Sequence, residues 1–182
     1  QHLRARIAQF AETPLPIVVR GPTGSGKELV ARAIHIVSRR SGKFVPFNVS
    51  SIPEAMFADA VFGHVRGAFT NALASTPGFA REAHDGTLFM DEISRLALAN
   101  QVTLLRTIET HVVRPLGGTE DRCANFRVVS ATNEDLRALV ASHTFREDLY
   151  FRLRGVEILV PPLRDRREDI LGLSCLFASA IA

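Results

Sequence analysis

The sequence GPTGSGKE, from Gly21 to Glu28, decides the fold because of what stands on either side of it. Ile17 to Arg20 is a short apolar run with strand character, and Glu28 to Arg40 carries apolar residues at nearly helical spacing. A glycine-rich turn between a strand and a helix can curl its backbone N–H groups around phosphate oxygens, and the helix N-terminus favours an anion. Lys27 then reaches the β- and γ-phosphates of a nucleotide. The alternative is a glycine-rich turn that binds no ligand.

The predicted phosphate loop departs from the strict pattern at its last position. Glu28 stands where that pattern has Ser or Thr, whose hydroxyl binds Mg²⁺. The candidate nucleotide-binding residues of the loop are Gly21, Pro22, Thr23, Gly24, Ser25, Gly26, Lys27 and Glu28.

A second stretch, GTLFMDEI from Gly86 to Ile93, supports nucleotide chemistry. Its apolar part predicts a buried strand that delivers Asp91 and Glu92 at its carboxyl end, where ligands gather in open α/β sheets. Asp91 can hold Mg²⁺, partly through water, and Glu92 can polarise the attacking water as a catalytic base. The alternative is that the two acids cap the next helix.

Strands alternate with helical patterns along the whole chain, which predicts an α/β fold with a mainly parallel sheet and helices on both faces. The predicted strands are Ile17–Arg20, Phe44–Val49, Thr87–Met90, Phe126–Ala131 and Val156–Val160, with a hairpin or loop over Val112–Phe126. The predicted helices are the amphipathic N-terminus QHLRARIAQF, Glu28–Arg40, Pro53–Phe62, Gln101–Thr110, Glu134–Ala141 and Arg167–Ala182. The predicted helix faces carry Leu29, Ala33, Ile34 and Val37 in one case and Val102, Leu105 and Ile108 in another.

The composition excludes several classes of protein. The chain has 182 residues, 46% of them apolar and 23% charged, which is the balance of one globular domain. No apolar run approaches the length of a membrane span. The net charge of +3 comes from scattered basic residues, which is weak evidence for nucleic-acid binding. Cys123 and Cys175 lack metal-ligand spacing and are expected to be plain thiols in a reducing cytoplasm.

The chain resembles the AAA+ ATPase domain of sigma-54-dependent transcriptional activators, the NtrC-like bacterial enhancer-binding proteins. The resemblance covers nearly the whole chain and rests on stretches that occur in the family's order. They are GPTGSGKELVARAIH, FNVSSIPEAMF, FGHVRGAFTNA, GTLFMDEI, VVSATNEDL, FREDLYFRL and PPLRDRREDI. Glu28 after the lysine is usual in this family, so the missing hydroxyl does not count against ATP hydrolysis.

The resemblance implies a P-loop NTPase core with ATP and Mg²⁺ as ligands. Thr132 and Asn133 match the family's sensor of the γ-phosphate, at the end of a strand. Asn48 matches the asparagine that restrains the catalytic glutamate until the nucleotide state changes. The alternative for Asn48 is a turn asparagine before the two serines that follow.

Arg146 and Arg152 in FREDLYFRL match the family's arginine fingers, which complete a neighbouring subunit's active site. A ring, typically a hexamer, would then be the working state, and a monomer would be nearly inactive. A helical arrangement would turn Phe145, Leu149 and Leu153 inward and leave both arginines on other faces. The alternative is a solvated helix in which the arginines pair with nearby acids.

The stretch GHVRGAFTNALAS matches the family's GAFTGA loop, which contacts sigma-54 and remodels the closed promoter complex. The loop residues are Gly67, Ala68, Phe69, Thr70, Asn71 and Ala72. Phe69 and Thr70 would make the contact, and Val112–Phe126, with Arg114, Gly117 and Gly118, would form a supporting loop. Asn71 replaces the usual glycine, so a regulator that acts without sigma-54 is an alternative. A nucleotide-dependent assembly module with little turnover is another.

The resemblance also sets expectations for the extent of the chain. Residues 1–166 match the α/β core, and residues 167–182 match the start of a helical lid subdomain that is largely absent. DNA binding would belong to a domain outside this chain. We therefore expect weak nucleotide binding and little hydrolysis by this piece alone.

Overall fold

The computed structural model describes residues 2–70, 72–170, 172 and 175. Its strands are β1 (Ile17–Arg20), β2 (Phe44–Asn48), β3 (Thr87–Asp91), β4 (Val112–Val113), β5 (Arg122–Cys123), β6 (Arg127–Thr132) and β7 (Val156–Leu159). Five of them form one parallel sheet in the order β2-β3-β6-β1-β7. β4 and β5 form a separate antiparallel pair inside the predicted hairpin.

Helices cover both faces of the parallel sheet. They are α1 (His2–Ala11), α2 (Lys27–Ser38), α3 (Phe57–Phe62), α4 (Gly78–Glu82), α5 (Leu98–Thr110), α6 (Leu136–Ala141) and α7 (Glu147–Leu153). Short 3₁₀ turns occupy Val49–Ser51, Glu54–Met56, Ile93–Arg95 and Leu163–Asp165. α1 and α2 pack on one face, and side chains from the other helices join the core on the opposite face. The predicted fold class is confirmed.

Alternate residues of each strand enter the two cores. In β1, Ile17 and Val19 belong to the core under α1 and α2, whereas Val18 belongs to the opposite core. In β3, Phe89 faces the first core and Leu88 the second. Because both faces are buried, the strands are nearly continuous apolar runs.

The buried face of α2 differs from the predicted one. Val30, Ala31 and Ile34 are buried, whereas Leu29 and Val37 are exposed. The reason lies in Lys27, whose buried side chain turns into the phosphate loop and fixes the rotation of the helix. Residues three, four and seven positions after Lys27 share its face and therefore enter the core.

Of the predicted face of α5, Ile108 is buried and Leu105 is partly buried, but Val102 is not. The helix begins at Leu98, and its buried residues include Gln101, whereas Val102 is 49% exposed. Gln101 is satisfied in the interior because its amide nitrogen donates to the carbonyls of Leu96 at 2.8 Å and Thr144 at 3.2 Å. A prediction from the spacing of apolar residues misses a hydrogen-bonded polar residue on the core face.

Other elements differ from the prediction at their ends. The predicted helix Pro53–Phe62 is a 3₁₀ turn followed by α3, and the predicted helix Glu134–Ala141 begins only at Leu136. Its first turn is capped by Asp135, whose carboxylate accepts the Arg137 N–H at 2.9 Å. α4 was not predicted. The predicted helix Arg167–Ala182 lies mostly outside the described residues, although residues 168–170 are helical.

A buried arginine ties the N-terminal helix to the sheet. Arg127, the first residue of β6, is 2% exposed and donates to the carbonyls of Phe10, Ala11 and Leu15. Burial lowers the pKa of its guanidinium to about 10. The side chain remains charged near neutral pH and holds the connection between α1 and β1 against the sheet.

Cys123 and Cys175 are free and exposed. Among the described residues, no helix combines the length and apolar character needed to cross a membrane.

Candidate functional site

The predicted nucleotide-binding residues meet at the carboxyl edge of the parallel sheet. β1 runs into the phosphate loop, β3 ends at Asp91, β6 ends at Thr132, and β2 ends at Asn48. Adjacent parallel strands end side by side, and the register pairs Asn48 with Asp91 and Arg20 with Thr132. The fold therefore gathers residues that are far apart in sequence.

The phosphate loop is open at its centre and closed around its lysine. Gly24 and Gly26 have φ angles of 75° and 84°, a left-handed conformation that favours glycine. A Cβ atom at Gly24 would meet no other atom within 4 Å, so the space beside this part of the loop is open. The Lys27 Nζ donates to the carbonyls of Gly21 and Pro22 at 3.2 Å each. The ammonium is thus held within the loop, where a phosphate would be neutralised.

The acid pair lies at a sharp turn on the same edge of the sheet, with β6 between its strand and β1. Glu92 has a φ of 55°, and its N–H donates to Asp91 Oδ1 at 2.9 Å. A left-handed glutamate costs about 1 kcal/mol, a strain that is found most often at functional sites. The Glu92 side chain makes no capping hydrogen bond to the turn that follows, Ile93–Arg95. The helix-capping alternative for this glutamate is therefore not supported.

Ser50 is a site residue that the sequence did not reveal. Its hydroxyl donates to Glu92 Oε2, and its N–H donates to Asn48 Oδ1 at 2.8 Å. Asn48 thus acts as a turn asparagine and orients Ser50, and Ser50 in turn holds the glutamate. Ser51 points elsewhere, since its hydroxyl donates to the Asn48 carbonyl at 2.7 Å. Ser50 could not be predicted from sequence, because its contact with Glu92 depends on β2 lying next to β3 in the fold.

The predicted sensor residues make hydrogen bonds at the end of β6, and one of them contacts the phosphate loop. Thr132 is buried, and its Oγ1 accepts the Glu134 N–H at 2.9 Å. Asn133 Nδ2 donates to Thr23 Oγ1 at 3.4 Å. A change in the phosphate loop can therefore reach the end of β6 directly.

The two predicted arginine fingers lie apart from this cluster. Arg146 precedes α7 rather than lying within it, and its Nη2 pairs with Asp148 Oδ2 at 2.7 Å. This hydrogen bond raises the pKa of Arg146 and lowers the pKa of Asp148. Arg152 Nη2 donates to the Ile108 carbonyl of α5 at 3.3 Å. Within α7 and just before it, the inward placement of Phe145, Leu149 and Leu153 is confirmed.

The predicted contact loop leaves the body of the protein on two anchored ends. Backbone bonds of 3.0 Å and 2.9 Å join His64 and Thr76, and the Phe69 ring lies 5.0 Å from the His64 ring, centroid to centroid. Phe69 is exposed, and the more exposed Leu73 lies nearby. Asn71 lies outside the described residues.

The second loop lies under the first. The Val65 N–H donates to the Leu116 carbonyl at 3.0 Å. A Cβ atom at Gly117 would come within 2.8 Å of the Ala68 Cβ, so the two loops are in close contact. The hairpin is stiffened by Arg114 Nε, which lies 2.8 Å from Asp121 Oδ1.

Residues 1–159 match the family model described as the sigma-54 interaction domain. The chain is 45% identical over 169 residues to the response regulator protein PilR of Pseudomonas aeruginosa, covering 92% of this chain and 38% of PilR. It is 46% identical over 175 residues to the sigma54-dependent transcriptional activator SfnR of Pseudomonas putida, covering 96% of this chain and 48% of SfnR. The chain therefore spans less than half the length of these curated relatives.

A solved structure shares the fold over the whole chain. The crystal structure of NtrX from Brucella abortus superposes with a TM-score of 0.90 at 37% identity, covering 100% of this chain and 41% of NtrX. A second crystal structure of NtrX, in complex with ATP, superposes with a TM-score of 0.85.

Proposed function

Because the chain belongs to the family of sigma-54 interaction domains, we propose that it is the AAA+ ATPase domain of a bacterial transcriptional activator that remodels the sigma-54 RNA polymerase closed complex. The observation that carries this proposal is the meeting of the phosphate loop with Asp91 and Glu92 at one edge of the sheet. The curated names of PilR and SfnR as regulators, and of SfnR as sigma54-dependent, support it. They do not support a regulator that acts without sigma-54.

The phosphate loop would bind ATP through its backbone. N–H groups from Gly24 to Gly26 would surround phosphate oxygens, and Lys27 would neutralise their charge. The NtrX crystal structure with ATP supports a nucleotide at this fold. The hydrogen bond from Asn133 to Thr23 supports the proposed sensor role, because Thr23 belongs to the loop whose conformation the phosphates would set.

The residues present also fit Mg²⁺. This ion prefers oxygen ligands, keeps several waters and takes one or two carboxylates together with phosphate oxygens. Asp91 would hold it, partly through water, with the carboxylate whose Oδ1 also accepts the Glu92 N–H. When bound, Mg²⁺ would neutralise charge on the β- and γ-phosphate oxygens.

Glu92 would take the proton of the attacking water, and Ser50 would restrain it until the nucleotide site is ready. The Ser50 hydroxyl is bonded to Glu92 Oε2, so a carboxylate that turns this oxygen toward a water molecule must first break the bond. A hydrogen bond to a charged group contributes about 1.5–3 kcal/mol. Part of this free energy would add to the activation free energy of ATP hydrolysis.

Ser50→Ala is therefore expected to raise kcat for ATP hydrolysis about three- to ten-fold, with KM nearly unchanged. The measurement is steady-state ATPase of the full-length protein. Ser51→Ala is the matched control, since Ser51 bonds to the Asn48 carbonyl and should leave kcat unchanged. A fall in kcat for Ser50→Ala would show that Ser50 aligns Glu92 for reaction instead of restraining it.

The arginines Arg146 and Arg152 would act on a neighbouring subunit, in a ring of which the hexamer is the expected size. Their hydrogen bonds run to Asp148 and to the Ile108 carbonyl, which supports a role away from their own subunit's phosphate loop. DNA recognition would belong to a domain outside this chain, and the protein would work in the cytoplasm.

The Gly67–Ala72 loop would contact sigma-54 through Phe69 and Thr70. Phe69→Ala is expected to abolish sigma-54 engagement and to leave ATPase within about two-fold of the wild type, because a truncated interface anchor costs 2 kcal/mol or more. Leu73→Ala is the matched control just after this loop, at a side chain that is 85% exposed. An equal fall in ATPase would instead give Phe69 a structural role.

The test of the whole proposal is capture of sigma-54 by the full-length protein trapped with ADP and a metal fluoride. Asn71→Gly runs beside the wild type, since asparagine is the best substitute for glycine at positive φ but adds polar bulk. Nucleotide-dependent capture by the wild type supports the proposal. Capture by Asn71→Gly but not by the wild type would mean that the wild-type protein keeps its ATPase activity but no longer binds sigma-54.

A further inference from the structure

Arg166 lies against the outer side of the phosphate loop, although it is far from it in sequence. Its Nη2 donates to the Ser25 carbonyl, and a Cβ atom at Gly26 would lie 3.8 Å from the same nitrogen. The segment that carries Arg166 follows β7 and contacts the start of the loop as well. There, a Cβ atom at Gly21 would come within 2.5 Å of the Val160 carbonyl oxygen.

The burial of Arg166 is unusual for its segment. Its side chain is 16% exposed, whereas the side chain of Arg164, two positions earlier, is 83% exposed. Among the described residues, the buried Arg166 Nε has no hydrogen-bond partner, and neither has the buried Ser25 Oγ. Holding a partly unsatisfied guanidinium at this position costs free energy, so the contact with Ser25 calls for a reason.

That reason lies in the geometry of the peptide between Ser25 and Gly26. In a planar trans peptide the carbonyl and the following N–H point in opposite directions. Since the Ser25 carbonyl is held by Arg166, the Gly26 N–H points away from Arg166. The backbone N–H groups of a phosphate loop are the groups that bind phosphate oxygens. The hydrogen bond from Arg166 therefore fixes the orientation of this peptide and with it the direction of the Gly26 N–H.

A second contact ties Arg166 to the chain that follows it. Arg166 Nη1 lies 3.5 Å from Asp169 Oδ2. The same guanidinium thus bridges the phosphate loop and the helical residues 168–170.

We propose that Arg166 is a positioning residue for nucleotide binding, which orients the Ser25–Gly26 peptide toward the phosphates and links the phosphate loop to residues 166–170. The inference rests on the proposed function, because it assumes that this loop binds a nucleotide. A phosphate loop donor serves the phosphates that ATP and ADP share. Loss of Arg166 should therefore weaken both nucleotides equally and leave turnover at saturation unchanged.

Nucleotide affinity of the full-length protein, measured by calorimetry, tests this. Arg166→Gln is expected to raise the Kd for both ADP and ATP about ten-fold, with KM rising in parallel and kcat within two-fold. Arg166→Lys, which can still donate to one carbonyl, should recover most of the affinity. Arg164→Gln is the matched control and should bind both nucleotides as the wild type does.

Other results would contradict the proposal. Wild-type ADP affinity in Arg166→Gln, or a loss confined to ATP, would overturn the role of Arg166. A wild-type protein that binds neither nucleotide would remove the proposed function itself. Amide hydrogen exchange on the unmutated protein gives a second test: ADP should slow exchange in both 24–27 and 166–170. Protection of the loop alone would overturn the link.

Discussion

Glu92→Gln is expected to lower kcat for ATP hydrolysis by about 10²–10⁴-fold, because a positioned general base contributes that much. The Kd for ATP should stay within about two-fold, since the amide has the shape of the carboxylate and the phosphate loop is intact. The left-handed backbone at residue 92 does not select between the two side chains, so the fold should be preserved. Single-turnover hydrolysis and equilibrium binding of ATP, both on the full-length protein, measure the two quantities separately.

Glu109→Gln is the control for Glu92→Gln, because Glu109 is an exposed glutamate on α5. It should hydrolyse ATP at the wild-type rate. Persistent turnover by Glu92→Gln would remove Glu92 from the role of base. Loss of ATP binding would instead place Glu92 in the binding site rather than in the chemical step.

Arg152→Ala is expected to lower ATPase by about 10³-fold, the contribution of an arginine that neutralises charge in a phosphoryl-transfer transition state. The fold of the monomer should be unaffected. Arg152 makes one hydrogen bond, of 3.3 Å, to the Ile108 carbonyl. A hydrogen bond with one charged partner contributes about 1.5–3 kcal/mol, so the monomer should lose some stability but keep its fold. ATPase per subunit and the thermal unfolding midpoint give the two readouts.

Mixing separates a shared active site from one contained in a single subunit. Glu92→Gln and Arg152→Ala are each expected to be nearly inactive alone. A mixed ring would contain some interfaces with an intact glutamate on one side and an intact arginine on the other. Partial recovery of ATPase on mixing is expected. Arg106→Ala, an exposed arginine on α5, should be fully active alone. No recovery on mixing, together with a normal ring, would contradict a shared site.

The phosphate loop, the acid pair and the strand that ends at Thr132 were predictable because each is a local pattern. Each couples a buried apolar strand to polar residues at its carboxyl end, and parallel strands bring those ends together. Knowledge of any one strand was enough to place its own polar residues. The strand order added only which of them are neighbours.

Ser50 and Arg166 were not predictable for the opposite reason. Their contacts depend on which elements lie side by side: β2 next to β3 for Ser50, and the segment after β7 next to the phosphate loop for Arg166. Gln101 was missed as a core residue of α5 for the same reason. Its partners, Leu96 and Thr144, are supplied by the tertiary fold, and without them a polar residue reads as exposed.

The position of β1 in the sheet has a consequence for how the protein is made. β1 carries the phosphate loop and lies between β6 and β7, so Ile17 pairs with Val129 and Val156. During synthesis β1 leaves the ribosome before β6 and β7 and has no neighbouring strand until they follow. Such distant pairings make folding slow and leave an apolar strand exposed to aggregation or to chaperones.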